Sequence, residues 1–552
     1  MMKSGSNTFV RLCLASASFY ALTFSSLSNA QLVQNITIGN PKALALGNAV
    51  TADPPGIDSI HFNPAGLAKI RGRQSQVKLL AAHITYDAKI GARHLDINSD
   101  PDSDAPTLSE SYENIAGEPY PADPIENSKS YTSDPILMLP GSGMTSTPVL
   151  LVPFGGFAIQ DPDHNYVFGS AVYSPQAIGY ERDADDPGSF QGQRLAITRI
   201  TYLSPSVGFK FGKHFYVGGS VGLSWQGFGI ETKIRAPETT IAFLKNFTTT
   251  LNNAGIDQLQ SIGPYDTVGT VVVEMEDSLS LSYNLGFIWE PNHWFALGAV
   301  YQSASKSELK GDYKMEYTDE WMKMTNSLEP FGGVLALLNG GFPLNAEQVE
   351  EGKVEMEYTV PAHFAIGTST KLFPDLKVNI DLKYTDYKEW DYLDLQFDNG
   401  IDFLTISDLI YSIPQSQGDG DNADPDLMRI KRDYNSVWSW AFGVEYDVND
   451  YFTLRFGYEP RKSVVPSNRV DLLAPIAGAD LYTFGFEYFL DQYSQLQFGF
   501  GWLNSEFDAP AGSSESANSV QPGRVVYNPY AYLDIESETN AYIFALSYDS
   551  KF

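Results

Sequence analysis

The sequence has one cysteine in 552 residues, and this residue, Cys13, lies in an N-terminal stretch that is typical of a secretory signal. A positively charged start, an apolar run and small residues up to Ala30 predict that residues 1–30 are cleaved off. The mature chain would then contain no cysteine. Internal disulfides and thiolate metal sites are therefore excluded, and a secreted chain of this length must be held together in another way.

The sequence also lacks long apolar runs. No segment after residue 30 reaches the roughly 18 apolar residues that a transmembrane helix needs. The alternative that residues 1–30 stay on the chain as a membrane anchor is disfavoured, because their apolar run is short and carries many hydroxyl groups. A membrane β-strand needs apolar residues only at alternate positions, so this lack of long runs does not exclude a β-barrel.

Basic residues are few. Lysine and arginine total 36 against 67 aspartates and glutamates, which gives a formal net charge of -31. Such a balance argues against a nucleic-acid partner and against binding to anionic membrane surfaces. Most of the acidic residues lie between the strand-like segments. Solvated loops are the simpler interpretation of this acidity, and a cation site is the alternative.

Signatures of catalysis are missing as well. The seven histidines are scattered, and the sequence contains neither a metal-ligand spacing nor a Gly-x-Ser-x-Gly elbow. We therefore predict no catalytic residues, no metal site and no cofactor, and we predict that the chain is not an enzyme.

The sequence does contain a repeated alternation of apolar residues with small or polar ones. In the C-terminal run the residues of the apolar face are Tyr542, Phe544, Leu546, Tyr548 and Phe552. Similar runs cover 279–289, 438–446, 452–458 and 496–502, and their apolar faces carry no charge, which would cost ~2–4 kcal/mol in mid-bilayer. A barrel strand that faces lipid is therefore favoured over a strand of a soluble β-sandwich, and Phe552 is predicted to face lipid.

The connections between these runs alternate in length. Short turns lie near 161–164, 212–214, 291–293, 374–376, 449–450 and 491–494. Long connections cover about 89–146, 175–195, 231–268, 309–352, 391–434, 461–479 and 506–539. Six short and seven long connections join fourteen strands. The sequence therefore predicts an all-β fold, a 14-stranded antiparallel transmembrane β-barrel over residues 74–552 with some helical extracellular loops.

Residues 31–73 precede the first predicted strand, 74–88, and do not alternate. They are rich in small residues and contain Asn63-Pro64-Ala65. A flexible tail would usually be more charged and less apolar. A plug, or hatch, inside the lumen is the favoured interpretation, because a barrel of this width would leak without one. Pro64 fixes φ and removes a hydrogen-bond donor, which predicts a tight turn at these three residues.

Two long loops, 239–262 and 319–348, are unusually apolar. Their spacings suit short amphipathic helices. The apolar faces either pack on each other or form an exposed groove for a hydrophobic ligand. The candidate ligand-binding residues of such a groove are Phe243, Leu244, Leu335 and Leu338.

Strand parity also predicts which ionisable residues face the lumen. This set contains Glu355, Glu357, His363, Asp381, Lys383, Glu445, Asp447, Arg455, Glu459 and Glu487. Pairing among these groups across a wet lumen is the simpler interpretation. If the ligand carries a carboxylate, Arg455 and Lys383 are its predicted partners.

Several motifs resemble those of the FadL/TodX family of outer-membrane channels for long-chain fatty acids and hydrocarbons. They are Asn63-Pro64-Ala65, then 361–367 followed by 381–390, and finally 455–458 followed by Pro466, Arg469 and Asp480. The resemblance covers essentially the whole mature chain. It implies a monomeric fourteen-strand barrel in the cell outer membrane, in contact with lipid and lipopolysaccharide. It also implies an N-terminal hatch and a lateral opening in the wall at a kinked strand.

The function that the resemblance implies is passive uptake of a hydrophobic compound. The compound would dock on the two apolar loops, enter the lumen and leave sideways after the hatch shifts. This chain is longer than typical members, and its first, fifth and seventh loops are expanded. Two alternatives remain open, an adhesin or structural barrel whose acidic loops are the functional part, and a porin for polar solutes.

Overall fold

The computed structural model describes residues 35–94, 113–114, 117–119, 121–147, 150–161, 163–235, 245, 248–250, 252–253, 260–263, 265–328, 347–405, 424, 426–475, 477–519 and 528–552. The predicted signal, residues 1–30, lies outside this part of the chain.

The described residues form 22 strand segments and a few short helices. The strands are β1 (Arg73–Arg93), β2 (Ser128–Tyr131), β3 (Ile136–Leu139), β4 (Gly143–Ser146), β5 (Leu150–Gln160), β6 (Tyr166–Glu181), β7 (Arg194–Leu203), β8 (Ser206–Phe211), β9 (Phe215–Arg235), β10 (Thr267–Trp289) and β11 (Phe295–Gln302). They continue with β12 (Ser305–Tyr317), β13 (Val349–Val360), β14 (Ala362–Phe373), β15 (Leu376–Asp386), β16 (Tyr392–Phe397), β17 (Leu427–Lys431), β18 (Val437–Asn449), β19 (Phe452–Arg461), β20 (Gly478–Phe489), β21 (Ser494–Ala509) and β22 (Leu533–Lys551). The α-helices are α1 (Pro41–Ala45), α2 (Ser59–Phe62) and α3 (Asp319–Leu328), and the 3₁₀ helices are Gly56–Asp58, Pro64–Lys69, Pro187–Gln191 and Ser467–Arg469. None of the helices in the described ranges is long and apolar enough to cross a membrane.

The barrel has fourteen antiparallel strands and is closed. Nine of them are single segments, namely β1, β5, β6, β9, β10, β19, β20, β21 and β22. Five consist of two segments in line, namely β7 with β8, β11 with β12, β13 with β14, β15 with β16, and β17 with β18. The last strand pairs with the first, from Lys551 opposite Gln74 to Ile535 opposite Ile90. The predicted fourteen-strand barrel is therefore confirmed.

Each of the six predicted short turns joins two consecutive barrel strands. We call this end of the barrel the short-turn end and the opposite end the long-loop end. The chain enters β1 and leaves β22 at the short-turn end, as an even number of strands requires. The hairpin of β3 and β4 is a separate two-stranded sheet.

The predicted lipid face is apolar and exposed. On β18, Trp438, Trp440 and Phe442 alternate with the buried Ser439 and Ala441. Phe552 follows the last strand residue directly and is also exposed. Large apolar side chains on the outside of a closed barrel are stable only against lipid, so the alternation in the sequence identifies the outer surface.

Several strands are longer than the sequence predicts, and the additional residues lie toward the long-loop end. The predicted loop 309–352 contains the end of β12 and the start of β13, and the predicted loop 391–434 contains β16 and β17. Beyond the hydrocarbon layer, the outward positions of a strand can be charged. The alternating lysines and glutamates of β12 and β13 therefore have the composition of a loop although they lie on strands.

This extension corrects the predicted lumen set at two positions. Glu355 and Glu357 point outward and are exposed, and they pair with Lys310 at 3.0 Å and Lys306 at 2.8 Å. The prediction that they face the lumen was wrong. Asp447 is also exposed, near the short-turn end, whereas the other seven members of that set are buried.

Residues 35–72, here called the N-terminal segment, are surrounded by the barrel strands. An added Cβ at many glycines of the wall would meet this segment, and these glycines are Gly156, Gly208, Gly218, Gly286, Gly298, Gly443, Gly457 and Gly499. They lie on strands spread around the barrel. Glycine at these inward positions lets the backbone of the segment approach the backbone of the wall.

Candidate functional site

The side chain of Asn63 attaches the N-terminal segment to two wall strands. Its amide nitrogen lies 2.7 Å from the carbonyl oxygen of Thr51, 3.2 Å from that of Phe287 on β10 and 3.3 Å from that of Ala299 on β11. Its side-chain oxygen accepts a hydrogen bond from the Ala65 amide at 3.2 Å. Asn63 is fully buried, so these bonds are protected from water.

Pro64 starts the 3₁₀ helix Pro64–Lys69, and Asn63 caps it. The chain direction therefore changes at the Asn63-Pro64-Ala65 motif, between an extended residue and a tight helical turn. The chemistry of the three residues predicts a turn at this position. The wall carbonyls that Asn63 contacts have no signal in the local sequence, because they belong to residues more than 200 positions away.

Buried ion pairs also connect the N-terminal segment to the wall. Asp58 lies 2.7 Å from Lys78 on β1, and both side chains are about 1% exposed. Asp53 lies 2.7 Å from Lys377 on β15 and 2.9 Å from Lys42. Burial disfavours the ionised form of Asp53, but Lys377 and Lys42 outweigh this effect and hold the pKa of its carboxyl well below the usual value. Asp53 therefore remains a charged partner of these two lysines.

Arg455 and Lys383, the predicted partners of a ligand carboxylate, are buried and already have protein partners. Arg455 contacts Glu445 at 2.6 Å and also pairs with Glu487. Lys383 lies 2.7 Å from Glu459, which in turn accepts a hydrogen bond from Asn48 of the N-terminal segment. In this structure both cations belong to a charged network between the wall and the segment.

The close fit of the segment against the wall gives a sharp prediction for two neighbouring glycines. A Cβ at Gly218 would overlap the carbonyl group of Pro64, whereas the nearest atom to a Cβ at Gly219 belongs to Leu285, at 3.6 Å. Gly218→Ala is expected to displace the segment and to expose it to protease in the folded barrel. Gly219→Ala is the matched control and should leave the protection unchanged. Equal protection in both variants would contradict the tight fit.

A central cavity of about 80 Å³ lies beside the N-terminal segment, on its long-loop side. Its aromatic and apolar lining residues are Tyr173, Pro175, Val360, Pro361, Tyr387 and Trp390. Its polar lining residues are Asn35, His61, Gln176, Arg199, Thr201, Ser282, Asn284, Gln302, Ser303 and Ser305. Burial, reinforced by His363, Lys78 and Arg199, lowers the pKa of His61 to about 3, so this imidazole is neutral at physiological pH. Among the described lining residues, Arg199 alone carries a formal charge.

A second, outer cavity of about 180 Å³ lies nearer the long-loop end. Its apolar lining includes Ile230, Val271, Val273, Phe397 and Phe403. In the register of the sheet, Ile230 pairs with Leu195, four residues along β7 from Arg199. At about 3.3 Å per residue, the two cavities are separated by roughly 13 Å measured along β7.

The barrel wall is interrupted between β5 and β6. Their pairing stops at Gly155 opposite Val172, and the register of β6 with β7 shifts between Tyr173 and Gln176. Pro153 and Pro175 lie within these two strands. Proline removes a backbone donor from the ladder, which explains why the pairing does not continue. We call this interruption the wall gap.

The wall gap lies beside the central cavity and opens at the level of lipid. Tyr173 and Pro175 belong to both features. On the adjoining part of β1, Val77 and Leu79 are 64% and 37% exposed on the outer surface. From the inside, Thr37 donates a hydrogen bond to the carbonyl oxygen of Ser174 at 3.0 Å. The N-terminal segment therefore contacts the kink of β6 directly.

The wall is also interrupted between β13 and β16. These segments pair only at Val354 and Glu355, and a surface cavity of about 720 Å³ lies there. Its outer rim carries Glu308, Glu355 and Glu357. A charged rim of this kind lies outside the hydrocarbon layer.

Four of the predicted ligand-binding residues, Phe243, Leu244, Leu335 and Leu338, lie outside the described residues. Arg199, which lines the central cavity, was missed by the sequence analysis. The alternation of residues along β7 could have identified it, because Arg199 shares the inward face of this strand with Leu195 and Ile197. In the part of the chain that the structure describes, no group of three or more His, Cys, Asp or Glu side chains is arranged to hold a metal ion.

Known proteins share this architecture. The sequence model of a family described as outer membrane protein transport protein (OMPP1/FadL/TodX) matches residues 19–552. The crystal structure of a Pseudomonas aeruginosa FadL homologue has a TM-score of 0.63 and 17% identity, covering 95% of this chain and 100% of that one. The toluene transporter TodX of Pseudomonas putida has a TM-score of 0.55 and 14% identity, covering 94% and 99%. The toluene transporter TbuX of Ralstonia pickettii has a TM-score of 0.54 and 13% identity, with the same coverage.

At these identities the similarity to the solved structures shows the fold alone. No curated protein sequence matches this chain.

Proposed function

This chain belongs to the OMPP1/FadL/TodX family of outer membrane transport proteins, and on that premise we propose that its cargo leaves the barrel sideways through the wall gap. The protein is an outer-membrane channel for hydrophobic compounds. The observation that carries the proposal is the broken pairing of β5 and β6 beside a cavity in the lumen. A hydrophobic molecule that leaves at this level enters the lipid layer without crossing water.

The proposed path has four stages. The cargo first docks on the apolar loops 239–262 and 319–348, where Phe243, Leu244, Leu335 and Leu338 are the expected contacts. It then passes through the outer cavity into the central cavity. Finally it passes between β5 and β6 into the membrane.

The N-terminal segment must move before the cargo can leave. The hydrogen bond from Thr37 to the kink of β6 holds the segment against the wall gap, and the buried Ile36 packs in the same core as Phe154 on β5. These contacts are few and local, so a shift of the first residues of the segment is sufficient. The buried anchors at Asn63 and Asp58 can stay in place during this movement, and the segment then acts as a hatch.

The wall gap is a better exit than the interruption between β13 and β16. Val77 and Leu79 expose apolar side chains on the outer surface of β1, the strand next to β5, whereas charged side chains, mainly glutamates, lie at the other opening. A hydrophobic molecule that passes a charged, hydrated rim stays in contact with water, so its free energy is not lowered by contact with lipid. The chemistry of the two rims therefore selects the gap between β5 and β6.

Blocking the wall gap with a bulky label tests this route. Because the chain without residues 1–30 has no cysteine, Val152→Cys introduces one thiol on β5 beside the gap. After reaction with a bulky maleimide, uptake of a hydrophobic tracer by cells should fall to the level of cells that lack the protein. The control is Phe157→Cys, on the outer surface of β5 where this strand still pairs with β6. The label there should leave uptake unchanged.

Both labelled variants must run as folded barrels in heat-modifiability gels. Uptake that survives the label at residue 152 would mean that the cargo leaves through the short-turn end instead. The solved relatives TodX and TbuX are toluene transporters.

A further inference from the structure

The interruption between β13 and β16, here called the side opening, exposes part of the inside of the barrel. The two segments pair only at Val354 and Glu355, and pairing resumes at Ala362 of β14. Residues 356–361 and 387–395 lie between these points and do not pair with each other. The floor of the surface cavity in this opening consists of buried and half-buried side chains, namely Leu309, Met356, Tyr358, Trp390 and Leu393. A molecule at the outer surface therefore meets side chains from the interior of the barrel.

The indole of Trp390 separates the surface cavity from the central cavity. It lines both cavities and is 7% exposed. Its N–H donates a hydrogen bond to the carbonyl oxygen of Thr359 at 2.6 Å, which connects the two sides of the opening. The ring of Tyr358 packs edge-on against it, with 5.1 Å between the ring centroids. The hydroxyl of Tyr358 accepts a hydrogen bond at 2.8 Å from Gln176, which lines the central cavity.

Trp390 lies in the connection between β15 and β16 and belongs to no strand. Its side chain can therefore rotate away without breaking a pair of the β-ladder. The rotation breaks the hydrogen bond to Thr359 and joins the surface cavity to the central cavity.

We propose that the side opening is a second entrance to the central cavity and that Trp390 is its gate. A hydrophobic compound at the membrane surface would pass the rim, displace the indole and reach the central cavity without docking on the long loops. This inference rests on the proposed uptake function, and the exit through the wall gap stays as described.

The side opening lies at the outer edge of the lipid-facing surface. Phe364, which is 37% exposed, and its register partner Tyr384 belong to the outer face just below the opening. Charged side chains form the rim above it. A compound that moves from this hydrated level onto the aromatic floor loses contact with water, so its free energy falls. The same difference disfavours movement in the opposite direction, which makes the opening suitable for entry and unsuitable for exit.

The charge of the rim selects among compounds. Of the described residues that line the surface cavity, Lys306 is the only cation, and Glu308 and Glu389 form no ion pair with any described residue. The acidic side chains of the lining are Glu308, Glu355, Glu357, Glu389 and Asp394. A net negative rim repels anions, and salt weakens this repulsion because the charges are solvent-exposed. The entrance should therefore admit cationic and neutral compounds faster than anionic ones.

The accessibility of a thiol in the central cavity tests the gate. Ser282 lines this cavity, and the chain without residues 1–30 has no cysteine, so Ser282→Cys introduces a single thiol. Its reaction rate is measured in lipid nanodiscs with two methanethiosulfonates of similar size, one with a trimethylammonium group and one with a sulfonate. Trp390→Ala should raise the rate at least tenfold for the ammonium reagent and less for the sulfonate. High salt should reduce the difference between the reagents.

The matched control is Trp225→Ala, because Trp225 is also buried and also donates one indole hydrogen bond, to Glu276 at 3.0 Å, but lines neither cavity. This variant should leave the rate unchanged. Trp390→Phe keeps a ring in the opening and should give a smaller increase than Trp390→Ala. Heat-modifiable gel mobility must show that every variant is folded. Equal rates in the native background and in Trp390→Ala would overturn the inference, and so would an equal increase in Trp225→Ala.

A label at the rim tests whether cargo uses the side opening in cells. Trp390→Ala should raise the uptake of the neutral tracer N-phenyl-1-naphthylamine above that of the native protein. Gln396 is exposed and lines the surface cavity, so a bulky maleimide on Gln396→Cys in this background should return the uptake to the native level. The same label on Glu351→Cys, an exposed position of β13 outside the lining, should leave the uptake raised. Raised uptake that survives the label at residue 396 would overturn the side entrance.

These measurements separate the side entrance from the proposed exit route. If Trp390→Ala speeds the thiol reaction at residue 282 but labelling at residue 152 leaves uptake intact, the entrance stands and the lateral exit fails. If labelling at residue 152 stops uptake and Trp390→Ala leaves the thiol reaction unchanged, the exit stands and the entrance fails.

Discussion

A barrel without residues 31–73 is expected to conduct ions and small solutes freely. In the structure these residues contribute the N-terminal segment, whose backbone approaches inward glycines on strands around the wall. A barrel of fourteen strands is wider than the eight-stranded barrels whose interiors are filled by their own side chains. Removing the segment leaves an interior that only water can fill. Conductance in planar bilayers and swelling of liposomes in small sugars should rise from near background to the level of an open pore.

The full-length protein is the first control for this deletion, and Gly219→Ala is the second, because both are expected to keep the N-terminal segment in the lumen. An intact protein that already conducts as well as the deleted one would contradict a plug. That outcome would favour the porin for polar solutes. If both proteins are closed and the expanded acidic loops mediate cell adhesion instead, the adhesin interpretation is correct.

Replacing Lys78 by methionine is expected to make the packing of the N-terminal segment in the lumen less stable by about 3–5 kcal/mol in free energy. This is the usual effect of removing one member of a buried ion pair. The ammonium group lies 2.7 Å from Asp58 and donates to the Ile38 carbonyl at 2.9 Å. Among the described residues, the Asp58 carboxylate would then keep only the hydrogen bond from Asn40, at 2.7 Å. Limited proteolysis of the folded barrel should then cut the segment much faster than in the native protein.

The double variant Lys78→Met/Asp58→Asn separates charge from packing. It removes the uncompensated carboxylate while keeping the volume at position 58, so most of the protection should return. Slow cutting in the single variant would show that the ion pair does not hold the segment. Fast cutting in both variants would show that Lys78 acts through its packing and through the Ile38 carbonyl.

Together these results would divide the N-terminal segment into a fixed and a mobile part. Asn63 and Asp58 form buried anchors, whereas Thr37 donates one hydrogen bond to the Ser174 carbonyl in the kink of β6. A segment that stays anchored while its first residues shift can open the wall gap without opening the barrel to solutes. The deletion and the Lys78 variant test the anchors, and the label at residue 152 tests the opening.

The sequence by itself determined the strand number and the lipid-facing surface. The alternation of Trp438, Trp440 and Phe442 and the short turns such as 449–450 depend on neighbouring residues, and local physics is enough to interpret them. Asn63-Pro64-Ala65 likewise marked a turn through its own chemistry. The same reasoning misplaced Glu355 and Glu357, because parity alone does not show where a strand leaves the hydrocarbon layer.

The tertiary structure decided everything that depends on contacts between distant residues. Arg455 and Lys383 looked available for a ligand until the fold placed Glu445 and Glu459 beside them. Arg199, by contrast, gained no carboxylate partner among the described residues, although its alternation with Leu195 and Ile197 already indicated an inward position. The wall gap also arises from strand register, because Pro153 and Pro175 lie 22 residues apart in the sequence and become neighbours only when β5 and β6 pair. Pairing of charges and pairing of strands are set by long-range register, which a single sequence does not encode in any local pattern.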